Sequence, residues 1–208
     1  FYANSDEYVL AENTYKTNNF IPVCNTKLVY DFMSSKNYTY IAKNGLWFEP
    51  AVSKKHYGIS EQNLNKRRIF LYGRRSVARN LFYTAIDALN KVFDSGSLHP
   101  GDWEIFMAGQ DKLPNITLST GIVIQNLGKL SMEDYCNFIR SVDVAISPMM
   151  APHPNYPTLE FASVGAAVVT TKYETKQTLS SYSNNILLSE VDADSISKTI
   201  IEASQISF

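Results

Sequence analysis

"RRIFLYGRRSVARNLFYTAIDALNKVFDSGSLHPGDWEIFMAG", Arg67 to Gly109, is the stretch whose reading decides the fold. "RRIFLYG" is a short apolar run without strict alternation, as a strand buried on both faces requires. Leu81, Phe82, Ala85, Ile86, Leu89, Val92 and Phe93 then recur at helical spacing, and "DWEIFMAG" is a second buried strand. Strand, helix and strand in this order form one parallel crossover unit.

The same alternation continues to the end of the chain. "NITL" and "GIVIQNLG" read as strands, and "SMEDYCNFIRS" as a helix that Ser131 and Asp134 cap. They are followed by the strand "VDVAISP", a helix from Pro157 ended by Gly165, the strands "AAVVTT" and "NILLSE", and a closing helix from about Asp192. The expectation is a doubly wound α/β domain with a mostly parallel, Rossmann-like sheet over 67–208. Ahead of it, Phe20 to Cys24 is a short apolar run and Asn25 a candidate N-cap. Leu28, Val29, Phe32 and Met33 share one helix face, and "YTYIA", Tyr38 to Ala42, reads as a strand. Residues 46–66 are polar, with Pro50 and Gly58 as breakers, and read as a linker.

Composition narrows the function. With 45% hydrophobic residues and 12% aromatics the chain can bury a core, and a net charge of -1 argues against general nucleic-acid binding. His56, His99 and His153 are scattered, and Cys24 and Cys136 lack paired-ligand spacing, so no metal site is expected and the thiols read as buried in a reducing compartment. No apolar run approaches the roughly 20 residues that cross a bilayer. The chain opens at Phe1 without methionine, which reads as a cut from a longer polypeptide. On that reading Phe1, Tyr2 and Trp47 are surface aromatics that a missing half covers.

In doubly wound sheets ligands bind beyond the carboxyl ends of the strands. After the first regular strand stands "YGRRSVARN", where Gly73 permits a turn. Arg74 and Arg79 flank the passage into a helix, where anions collect. Lys129 follows "GIVIQNL". After "VDVAISP" comes "SPMMAPHPNYPTLEFASVG", with four prolines ahead of and at the helix start. Pro157 suits the first helical position, the amides of Thr158 and Leu159 would face an anion, and Glu160 would lie in the first turn.

Together "LYGRRSVARNLF", "LGKLSMEDY" and "SPMMAPHPNYPTLEFASVG" resemble the carboxyl-terminal, nucleotide-sugar-binding domain of GT-B glycosyltransferases of family 4. Within that family they are most similar to bacterial polysaccharide rhamnosyltransferases. "EYVLAENTY" is similar to the end of their amino-terminal domain, which divides the chain into 1–45, the end of the acceptor domain; 46–66, the linker; and 67–208, the donor domain. The resemblance implies that Arg74 and Arg79 hold the donor diphosphate, that Glu160 binds the ribose hydroxyls, and that Lys129, Asn155, Tyr156, Thr158 and Leu159 line the same cleft. Arg74, Arg79 and Glu160 are thereby the expected catalytic set. Pro152 stands where the family motif has its first glutamate, and His153, Pro154 and Asn155 replace G-F-G, so sugar recognition must differ. Asn80 replaces the usual glycine.

The expectation is transfer from a nucleotide diphosphate sugar, dTDP-rhamnose, to a growing saccharide. The nucleotide sugar is a substrate, and no cofactor, metal or nucleic acid is called for. Such an enzyme is cytoplasmic, with peripheral association at the inner face of a membrane left open. A fragment lacking most of the acceptor domain is expected to bind donor and to turn over poorly. A nucleotide-sugar epimerase of the same architecture and a non-catalytic nucleotide-binding or assembly domain stay open as alternatives.

Overall fold

In a computed structural model, residues 5–54, 65–110 and 113–206 are described, and the central strand of their main sheet is β3 (Arg67–Tyr72). Its side chains alternate between two apolar layers. Ile69 and Leu71 face one and Phe70 faces the other, all fully buried. This is why the strand is apolar throughout rather than at every second position.

Seven strands among the described residues lie in the order β5-β6-β4-β3-β7-β8-β9. They are β4 (Trp103–Ala108), β5 (Ile116–Thr117), β6 (Val123–Asn126), β7 (Val144–Ile146), β8 (Ala167–Thr171) and β9 (Ile186–Ser189), besides β3. Every neighbouring pair is parallel except β5 and β6. Helix α4 (Phe82–Asp94) and the closing α7 (Ala193–Ser204) cover one face, burying Phe82, Ala85, Leu89, Val92, Ile196 and Ile200 with Ile69 and Leu71. Helices α5 (Met132–Ile139) and α6 (Tyr156–Ser163) cover the other. There Phe70 packs on Phe161 and Phe138, at centroid distances of 5.1 and 5.6 Å. Burying each such ring contributes about 1.5–3 kcal/mol. The sheet is doubly wound, as the sequence predicts.

The winding reverses beside β3. From β3 the chain moves outward through β4 and β6, then returns to place β7 on the other side of β3. The loops that follow β3 and β7 therefore diverge at a topological switch point, where a crevice forms at the carboxyl edge of the sheet.

The expected cap of α5 is present, with the Ser131 hydroxyl accepting from the Asp134 amide at 3.1 Å. The end of α6 is a Schellman turn. Ala166 donates to the Phe161 carbonyl and Gly165 to that of Ala162, with Gly165 at φ +91°. Leu81, read from its spacing as part of α4, is instead the left-handed residue before it, at φ 51°.

The amino-terminal segment contains α1 (Asp6–Tyr15), β1 (Val23–Cys24), α2 (Lys27–Ser35), α3 (Thr39–Asn44) and β2 (Leu46–Trp47), with β1 parallel to β2. Two expectations are corrected. Thr26, not Asn25, caps α2, its hydroxyl accepting from the Leu28 amide. "YTYIA" is helix, not strand, because burying Ile41 and packing Tyr38 on Tyr15 override the strand preference of its aromatic residues. The segment docks on the turn after β8. Phe32 meets Tyr173, Lys36 pairs with Glu174 at 3.0 Å, and the Thr175 hydroxyl donates to the Leu28 carbonyl. Tyr182 donates to Glu49 and shares a hydrogen bond with Thr26. Trp47 is exposed, whereas Phe1, Tyr2, His56 and Gly58 lie outside the described residues. Among the described residues no helix is long and apolar enough to cross a membrane.

Candidate functional site

Beyond the carboxyl end of β3 the chain turns through 73–77 into a 3-10 helix, Ala78–Asn80. Arg74 and Arg79 are exposed here, and no carboxylate among the described residues lies within ion-pair distance of either. The contrast is with Arg67 and Arg68 at the opposite end of the strand, which pair with Asp143 and Glu104. Arg75 lies over the Tyr83 ring. Gly109, after β4, adopts φ +117°, and a Cβ there would sit 3.5 Å from Cγ of Arg74, so the arginine stem runs close along this turn. The Gly109 amide donates to the Gly128 carbonyl, which brings the neighbouring Lys129 loop to the same edge.

Asn80 links this loop to the one after β7. It is 1% exposed, its Oδ1 accepts from the Arg74 amide, and its Nδ2 lies 3.7 Å from the Met149 sulfur. The Met150 amide donates to the Arg79 carbonyl at 2.8 Å. The arginine loop and the proline-rich loop are thus bonded to each other at the switch point. Glycine could supply none of the Asn80 contacts.

Helix α6 begins at Tyr156, one residue before the expected Pro157, with Asn155 as its N-cap at φ 74°. That shift changes the roles expected of several residues. The Leu159 amide donates to the Asn155 carbonyl and its side chain is buried in the core, so it is not a free donor. The amides of Tyr156 and Thr158 are the ones no carbonyl of the helix can reach. Asn155 is buried, and its Nδ2 donates to the Ser147 hydroxyl at 2.8 Å, so its amide braces the loop. Tyr156 is exposed, its ring 5.3 Å from that of His153. Thr158 is fully buried, with its hydroxyl oxygen unpartnered.

Glu160 falls in the second turn of α6, not the first. It accepts from the Tyr135 hydroxyl of α5 at 2.9 Å. Burial, and then the adjacent carboxylate, push the Tyr135 phenol far above its ordinary value, so it stays a donor at any physiological pH. Glu160 is half-buried beside α5, and the arginines stand on the loop after β3.

Two further groups lie beneath the proline-rich loop. His153 Nδ1 accepts from the Asn155 amide at 2.9 Å, which leaves the hydrogen of the neutral ring on Nε2. That Nε2 is buried without a partner, and burial, then the nearby Lys176, hold the imidazole below its usual pKa. Lys176, on the turn after β8, is fully buried, and its Nζ donates to the Met149 carbonyl at 2.9 Å. Burial alone brings its pKa down to about 7. Nothing in "TKYETKQ" distinguishes this lysine from the half-buried Lys172, so sequence reading missed it. A cavity of about 320 Å³ lies elsewhere, between Pro50, Val52, Leu159, Ala162 and Tyr182, away from the arginine loops.

Comparison with solved structures places this fold in a class. WaaG, a glycosyltransferase involved in lipopolysaccharide biosynthesis, superposes over 99% of this chain and 60% of its own, at TM-score 0.70 and 15% identity. Sucrose-phosphate synthase from Thermosynechococcus elongatus matches over 97% and 53%, at 0.68 and 14%. Anabaena HepE, solved with UDP and glucose, matches over 90% and 57%, at 0.64 and 13%. No protein with a curated description matches the sequence significantly. The fold is that of the carboxyl-terminal, Rossmann-like domain of GT-B glycosyltransferases.

More specifically, the chain belongs to the family described as WsaF, C-terminal domain, which it matches over residues 67–201, more than half its length. It spans between about half and three-fifths of the length of the three solved structures named above.

Proposed function

We propose that this chain is the donor-binding half of a glycosyltransferase that moves a sugar from a nucleoside diphosphate to a growing saccharide. The observation that carries the proposal is the pair of guanidinium groups, Arg74 and Arg79, which meet no carboxylate among the described residues, on a loop bonded through Arg79 and Asn80 to the loop that precedes α6. Two planar cations and the helix-start amides of Tyr156 and Thr158, which no carbonyl of α6 reaches, suit a diphosphate. As the bond between the anomeric carbon and the diphosphate oxygen breaks, its electron pair passes to that oxygen. The arginines and the helix terminus, rather than a metal ion, are assigned to stabilise the charge. Glu160, oriented by Tyr135, is assigned to the ribose hydroxyls, and Lys129 to the wall of the cleft.

The finer reading is dTDP-rhamnose as donor. It rests on the resemblance of the sequence to rhamnosyltransferases together with Pro152 at the place of a sugar-binding glutamate, since a deoxysugar presents fewer hydroxyls to an acceptor. In this reading residues 1–45 end the acceptor domain, 46–66 link it to the donor domain, and the enzyme works in the cytoplasm.

Thermal-shift titration with dTDP and UDP tests the site. The expected result is stabilisation by at least one of them, reduced in the Arg74→Ala, Arg79→Ala double variant. If neither nucleotide stabilises the protein and the double variant behaves like the parent, the donor-site reading fails. Transfer from labelled donors by the full-length protein tests the activity.

A further inference from the structure

We infer that Lys176 is a positioning residue of the donor site, a cation in reserve beneath the loop that carries the diphosphate, which acts through the Met149 carbonyl. The inference rests on the donor-site reading and extends it to a residue that touches no substrate. Its ground is geometric. Lys176 Nζ holds the Met149 carbonyl at 2.9 Å, the next amide, that of Met150, holds the Arg79 carbonyl at 2.8 Å, and the Met149 sulfur meets Asn80. The lysine is thus tied by one peptide to both anchors of the arginine loop.

An ammonium buried in this way is expensive unless a counter-charge accompanies it. No carboxylate among the described residues pairs with Lys176, and the polar group it meets there is a neutral carbonyl, that of Met149. The charged groups around it have other engagements. On its own turn Glu174 pairs with Lys36 of α2, and Lys172 with Glu190 after β9. From the loop after β7 comes His153, itself influenced by Glu49. The loop after β3, bonded to the Met150 amide through the Arg79 carbonyl, carries two further cations, Arg74 and Arg79. The unpartnered Thr158 hydroxyl and His153 Nε2 belong to the same loop and helix start, a second sign of polar groups left for an occupant.

A diphosphate arriving above Met149 supplies the missing charge. Lys176 then takes up a proton as donor binds, and the protonated form tightens the loop through Met149. With a free pKa of about 7, a one-unit rise on binding corresponds to uptake of about 0.4 proton at pH 8 and to affinity falling about fivefold from pH 7 to pH 9. His153 lies below this window, and Tyr182, pushed up to about 12 by burial and then by its hydrogen bond to Glu49, lies above it.

The test is calorimetry of the protein with UDP-glucose and with a dTDP-sugar, whose diphosphates carry fixed charge over this range. Titrations at pH 7, 8 and 9 in two buffers of different ionisation enthalpy give affinity and proton uptake together. The parent should take up protons and lose affinity with rising pH. Lys176→Met and Lys176→Gln, the second retaining a donor for Met149, should bind with a flat profile and no uptake. Binding by the parent without uptake, or the same uptake in both variants, overturns the inference and leaves the donor site standing. Failure of every nucleotide sugar to bind overturns both.

Discussion

Replacing Lys176 with methionine should make the protein more stable at neutral pH, although a contact is lost. The lysine pKa falls from 10.5 in the unfolded chain to about 7 in the fold. A depressed pKa means that stability is full above the unfolded value and is lost as the pH falls toward the folded one. At about 1.4 kcal/mol per unit the penalty reaches about 4 kcal/mol at pH 7 and shrinks to under about 1 kcal/mol at pH 10. Methionine removes it but also leaves the buried Met149 carbonyl without its donor, a loss of about 1–3 kcal/mol. The net expectation is a gain of about 1–3 kcal/mol at pH 7, and a loss of up to about 2 kcal/mol at pH 10, where the neutral amine of the parent still donates. Urea denaturation of parent and variant at both pH values measures this. A variant less stable than the parent at pH 7, or a difference independent of pH, would refute the argument that Lys176 is buried without a counter-charge.

Other substitutions probe the rest of the edge. Tyr135→Phe removes the hydrogen bond to Glu160 and should destabilise by about 1–2 kcal/mol in urea denaturation, with weaker nucleoside diphosphate binding but unchanged affinity for inorganic pyrophosphate. Asn155→Ala combines loss of the bond to Ser147 with a backbone at φ 74°, for about 2–3 kcal/mol, whereas Asn155→Gly should lose only about half as much; the reverse order would mean that φ is not a constraint there. Gly109→Ala forces alanine to φ +117°, at about 1–3 kcal/mol, and should lower the melting temperature while its new Cβ touches the Arg74 stem without a clash. Nucleotide affinity should also fall with added salt, less steeply in the Arg74→Ala, Arg79→Ala variant.

The sheet was legible because its strands are buried on both faces. Continuous apolar runs such as "IFL" and "AVVTT" admit little else between helices of clear 3.6-residue period. The amino-terminal segment was less legible. Tyr38 to Ala42 carries strand-forming aromatics, yet its helix is set by what Tyr38 and Ile41 pack against, which local sequence does not encode. At the site, the arginines and the start of α6 stood out through spacing and proline. Lys176 did not, because a buried lysine and a solvated one are spelled alike. In the sequence Asn80 reads only as a departure from glycine, and its task, joining two loops from strands far apart in the chain, exists only once β3 and β7 are neighbours.

The turn after β8 is gripped from two sides. From outside, α2 holds it through Phe32, Lys36 and the Leu28 carbonyl; from inside, Lys176 fastens it to Met149. Swinging the amino-terminal segment would tear the outer grip or drag the turn along, and a dragged turn pulls its lysine from beneath the arginine loop. The amino-terminal segment and the loop beneath the arginines thus stand on one shared footing, the turn after β8.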